Sequence, residues 1–126
     1  MDIAELKRLV AEAYVTNDSD ATLPKFATQF TFTGRELFIR IPIYECQPPP
    51  RPLVELICRV INTVLPHVKK NPKSLTEDLQ VAEQGKETAS AGRELVISNR
   101  SFSPRSTSDP GDMIVTEVNI RLRQTQ

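Results

Sequence analysis

The sequence predicts an α+β domain: a mostly antiparallel sheet of about four strands packed against an N-terminal helix and a long central helix, in the order α-β-β-α-β-β. Three observations carry this. Residues 113–123 alternate, with Ile114, Thr116, Val118, Ile120 and Leu122 on one side and Val115, Glu117, Asn119, Arg121 and Arg123 on the other. A period of two marks a strand with one buried face. Two further alternating runs flank a Thr33-Gly34 turn, and a wide helix-periodic apolar run lies between these regions. A chain of 126 residues is most simply one domain, 1–126, and buries roughly two-thirds of its unfolded surface.

The elements follow in order. Ile3, Leu6, Leu9, Val10, Ala13 and Tyr14 form one stripe, so residues 2–15 read as a helix. Asp2 with Glu5 suits its start, and the turn-formers Asn17, Asp18, Ser19 and Asp20 should end it. Residues 26–32 place Phe26, Thr28, Phe30 and Phe32 on one face; Leu37, Ile39, Ile41 and Ile43 do the same in the second strand of a hairpin. Pro42 cannot donate to a ladder, which assigns its part of the strand to an edge or bulge.

Pro48-Pro49-Pro50-Arg51-Pro52 then forms either a stiff lead into a helix, with Pro52 in the first turn, or a PxxP ligand for an aromatic groove. Leu53, Leu56, Ile57, Val60, Ile61, Val64 and Leu65, joined by Val54 and Cys58, make the central helix over 53–65; Pro66 stops it. Lys69, Lys70 and Lys73 follow, where cations favour the helix dipole. Residues 74–83 admit two readings: a short helix capped by Ser74 with Glu77, or a strand beginning at Leu79 and Val81. Strand character returns over 93–100, between long polar loops at 84–92 and 101–112. Gly34-Arg35-Glu36-Leu37 is echoed by Gly92-Arg93-Glu94-Leu95, each followed by x-Ile, through duplication or chance.

Chemistry is sparse. His67 is the only histidine, and the sequence nominates neither an orienting partner nor a nucleophile for it. Cys46 and Cys58 match no disulfide framework or metal spacing and suit a reducing compartment. No metal set, cofactor loop or nucleophile motif is present, so no catalytic, metal or cofactor residue is assigned and an enzyme is not expected. No apolar run reaches the ~18 residues of a membrane span, and no signal peptide precedes the first helix. Basic and acidic residues balance at sixteen each. Segment by segment the balance is −2 over 1–28 (three basic, five acidic), +4 over 29–73 (seven and three) and −2 over 74–126 (six and eight). Such scattered charge suits a solvated surface and assigns no specific nucleic-acid partner. Phe26, Phe30 and Phe32 are placed in the core rather than on a base-stacking face.

The layout resembles the tail terminator proteins of long-tailed bacteriophages. The resemblance is carried by Met1–Val15, by Arg35–Tyr44 running through a proline turn into Leu53–Val68, and by the terminal Ile114–Arg123 strand after a polar loop. It implies a non-enzymatic virion protein that forms a ring, commonly a hexamer, at the neck. One face caps the tail tube protein and the other accepts the head–tail connector, in the virion and, during assembly, in the host cytoplasm. Long loops are frequently functional, so the ring or tube contact is expected at Lys86, Glu87, Phe102, Arg105 and Asp109, with Phe102 as apolar anchor and the charges setting register. A small intracellular adaptor or regulatory module, working through a sheet edge or the proline segment, is the alternative.

Overall fold

The computed structural model describes residues 3–19, 27–102 and 115–124. Helix α1 (Ile3–Ser19) precedes the hairpin of β1 (Gln29–Thr33) and β2 (Glu36–Pro42). A 3-10 turn over Ile43–Cys46 leads to helices α2 (Arg51–Val64) and α3 (Pro72–Glu83), then to β3 (Thr88–Ser90), β4 (Leu95–Phe102) and β5 (Val115–Arg123). The sheet runs in the order β1-β2-β5-β4-β3, and every pairing is antiparallel. The α+β class is as expected, with five strands rather than four.

The extra strand lies in the predicted polar loop. Thr88, Ala89 and Ser90 carry no hydrophobic alternation, and only their pairing with Ile97, Val96 and Leu95 makes them a strand. Residues 74–83 are helix. The cap is Asn71 rather than Ser74: the Asn71 side chain accepts from the Ser74 N–H at 2.9 Å, and Ser74 Oγ accepts from the Asn71 N–H at 3.3 Å. Pro72 follows at the first helical position, where a missing N–H does no harm. The helix ends in a Schellman motif: Lys86 N–H reaches the Val81 carbonyl and Gly85 N–H the Ala82 carbonyl, with Gly85 at φ 87. Helix α1 runs through Asn17, Asp18 and Ser19, expected to end it, because poor helix formers cost only a few tenths of a kcal/mol each near a terminus. Asp2, Asp20 and Phe26 lie outside the described residues.

One face of the sheet holds the core. Leu37, Ile39 and Ile41 of β2, Val118, Ile120 and Leu122 of β5, and Leu95 and Ile97 of β4 are all buried there. They pack with eight buried residues of α2, with Leu75, Leu79 and Ala82 of α3 and with Leu6 of α1. Each fully buried aliphatic side chain contributes roughly 1.5–3 kcal/mol, so α2 is the main support of the sheet. Phe30 and Phe32 turn inward and pack against this cluster, as their alternation predicts. Pro42 sits where the missing N–H is harmless: the β1 ladder ends at Gln29 opposite Arg40, two residues short of it. It is thus on an inner strand, opposite Glu117 of β5 and past the end of the β1 ladder.

The repeated Gly-Arg-Glu-Leu strings take equivalent places. Leu37 and Leu95 both pair with Leu122, and Ile39 and Ile97 both pair with Ile120, from opposite sides of β5. Gly34 and Gly92 have φ 58 and 62. Yet β1 lies outside β2 on one flank and β3 outside β4 on the other, while the leucines face the same core. The two hairpins therefore have opposite hands. A duplicated hairpin would keep its hand, so the echo is a local likeness rather than a repeat.

Candidate interaction face

All described helices pack on the core side, so the other face of the sheet is formed by the alternate residues of each strand. Ladder register arranges them in rows. Pro42, Glu117 and Arg100 form one row; Gln29, Arg40, Asn119 and Ser98 the next; then Thr31, Phe38, Arg121, Val96 and Ala89; then Thr33, Glu36 and Arg123. Four arginines stand against two glutamates, a net of +2, on the strands of this face. In the chain they come from segments of opposite net charge. The fold gathers what the sequence scatters.

The face also carries polar atoms without partners. Glu117 is 6% exposed. One of its carboxylate oxygens (Oε1), Asn119 Oδ1 and Arg121 Nε are buried without a hydrogen bond among the described residues. A buried polar group left unmatched costs about 1–3 kcal/mol, a cost this face carries at three atoms. Beside them Thr31, Thr33, Phe38, Arg40, Arg100 and Asn119 line a hollow of about 310 Å³. A larger hollow of about 490 Å³ lies between the starts of α2 and α3, walled by Pro49, Val54, Pro72 and their neighbours. Of its polar groups, Arg51 is engaged with Glu55 at 3.0 Å and Asn71 with Ser74. The sheet face is the better candidate.

Elsewhere the reactive side chains are tied into the fold. His67 Nε2 meets Glu94 Oε1 at 2.8 Å, holding the chain beyond α2 against the start of β4. This is the orienting partner that the sequence does not nominate; with 27 residues between them, no spacing rule joins the two. Burial pushes the Cys46 thiol up to about 12, with the Glu83 and Glu45 charges adding to it. Burial likewise raises Cys58 to about 11, opposed by Lys70 and assisted by Glu55. Both are protonated at neutral pH and poor nucleophiles. Lys70 pairs with Asp78 at 2.5 Å, and the Asn62 amide clamps the Lys70 backbone, fixing the α2–α3 connection. Among the described residues no group of three or more His, Cys, Asp or Glu is placed to hold a metal ion. No described helix is long and apolar enough to cross a membrane.

The loop residues expected to form a contact do not converge. Lys86 and Glu87 are exposed just before β3, and Glu87 accepts from Arg93 at 2.9 Å. Phe102 is the last residue of β4, opposite Val115, about 15 Å along the strand from the β3 end at the usual strand rise. Arg105 and Asp109 lie outside the described residues. Comparison with known proteins finds no match: no family model, no curated protein and no solved structure.

Proposed function

We propose that this chain is a non-enzymatic structural subunit that closes into a ring, most specifically the tail terminator at the neck of a long-tailed bacteriophage. In that role it caps the tail tube protein and joins it to the head–tail connector. The observation carrying this reading is that, among the described residues, the sheet ends in two edge strands on opposite flanks, β1 and β3. Copies can therefore join head to tail, which closes into a ring when the rotation allows. Neither Gln29–Thr33 nor Thr88–Ser90 contains the proline or lysine that usually blunts an edge. Because β3 is only three residues long, Lys86 and Glu87 beside it would help to set the register. Exposed Tyr44, at 67%, offers an aromatic anchor.

The test is native mass spectrometry and light scattering on the full chain, which should show a ring or a ring-forming oligomer. Thr31 and Ala89 lie on the same face of opposite edges, so Thr31→Lys with Ala89→Lys should yield folded monomers. Thr31→Glu with Ala89→Lys should restore the assembly. A chain that stays monomeric at high concentration and ignores tail tubes refutes the reading.

A further inference from the structure

We propose that Tyr44 of one copy of this chain seats in the hollow between the starts of α2 and α3 of a second copy. The proposal rests on the reading that copies associate, and adds where their helical sides meet. It does not depend on how the strand edges pair.

Among the described residues Tyr44 is the one large apolar side chain left exposed. Its turn is tied down on both sides. Glu45 accepts from the Ala27 N–H and from the Thr28 hydroxyl, each at 2.6 Å. Cys46 is buried, and the Gln47 amide donates to Glu83 on α3. Tyr44 is therefore held out in solvent, and it does not line the hollow of its own chain although Pro49, soon after it, does. An aromatic on an ordered turn loses little entropy on docking.

The hollow suits such a side chain. Pro49, Pro72 and Val54 give it apolar walls, and its volume of about 490 Å³ lies within the range of ligand sites. It admits a phenol ring together with part of the turn that carries it. Charge makes the two parts complementary. In the bonds just named Glu45 and Glu83 meet neutral donors, so two negative charges stand around the Tyr44 turn; both lie close enough to raise the Cys46 thiol. At the hollow the formal charges cancel: Arg51 pairs with Glu55, and Lys73 is offset by Glu77 one helical turn on. What remains is the positive ends of two helices, α2 of 14 residues and α3 of 12, neither with an acidic residue in its first turn. Each end carries about half a charge. A second copy thus offers an aromatic ring for the walls and carboxylates for the helix ends.

Native mass spectrometry of the full chain, with one variant isotope-labelled in mixtures, tests the contact. Tyr44→Ala should weaken self-association by about tenfold or more, as loss of an interface tyrosine does, while Tyr44→Phe should stay within about threefold because the ring fills the hollow. Thr76→Trp should fill the hollow from its wall and weaken association to the same degree; Lys73→Trp serves if that variant does not fold. Circular dichroism should be unchanged in each. In an equal mixture of Tyr44→Ala and Thr76→Trp chains one sound anchor meets one sound hollow, so the unlike pair should form about tenfold more tightly than either like pair. Lys73→Glu should weaken association and Glu77→Lys strengthen it, both less so in high salt. Unchanged association in Tyr44→Ala overturns the proposal, as does an unlike pair no tighter than the like ones. A ring that survives both variants defeats this contact and leaves the ring. A two-subunit particle that Tyr44→Ala dissociates defeats the ring and leaves the contact. A chain that stays single defeats both.

Discussion

The two hairpins flank β5 with the same four-letter string and are built differently. In β1–β2 a two-residue turn joins paired Thr33 and Glu36, and Gly34 alone takes a positive φ, at the first turn position where a type II′ turn requires it. In β3–β4 four residues separate paired Ser90 and Leu95, and three consecutive ones are left-handed: Ala91 at φ 54, Gly92 at 62 and Arg93 at 70. The longer turn is held from outside. Arg93 reaches Glu87, and Arg121 donates to the Arg93 carbonyl. The first hairpin is thus specified by its own turn; the second leans on β5 and on its approach to β3. A shared string means a shared place against β5, not a shared way of getting there.

This contrast can be broken or sharpened experimentally. Leu122→Ala removes the side chain both hairpins share and should destabilise by about 2–5 kcal/mol in urea; hydrogen exchange should rise in β2 and β4 together, and a rise in one alone would deny the common dependence. Gly34→Ala should cost about 1–2 kcal/mol, all of it backbone, since an added Cβ meets nothing within 4 Å. Ala91→Gly should do the opposite in the second hairpin, raising stability by up to about 1 kcal/mol as left-handed strain is relieved against greater chain entropy. A loss there would mean the turn is not strained. His67→Ala should have the smallest effect, below about 1 kcal/mol, because its side chain is 56% exposed at the Glu94 contact; a larger loss would make that clasp a real brace of β4.

Legibility in the sequence followed the strength of the local pattern. The apolar run of α2 and the alternation of Val118, Ile120 and Leu122 announced buried faces, and those residues are buried. Thr88–Ser90 announced nothing, since a three-residue edge strand exists only through its partner. The spacing of Ser74 and Glu77 suggests a cap at Ser74, yet Asn71 stands three residues earlier and fills the role with Ser74 as its reciprocal partner. Of the expected contact residues, Lys86 and Glu87 are exposed as a loop contact requires, but the strongest surface feature lay elsewhere. Arg40, Arg100, Glu117 and Asn119 share a face only through strand register, and no spacing along the chain encodes that.

Strand β5 sits in the middle of the sheet and is last of the described elements in chain order. A ribosome making this protein must therefore deliver two finished hairpins and three helices before the piece that unites them emerges. Until then Leu37 and Leu95 face a gap one strand wide. Loop closure over such separations is slow, and the half-built sheet exposes inner edges as well as outer ones. Nascent chains should thus be at greatest risk of sticking to one another in the moments before synthesis of β5 is complete.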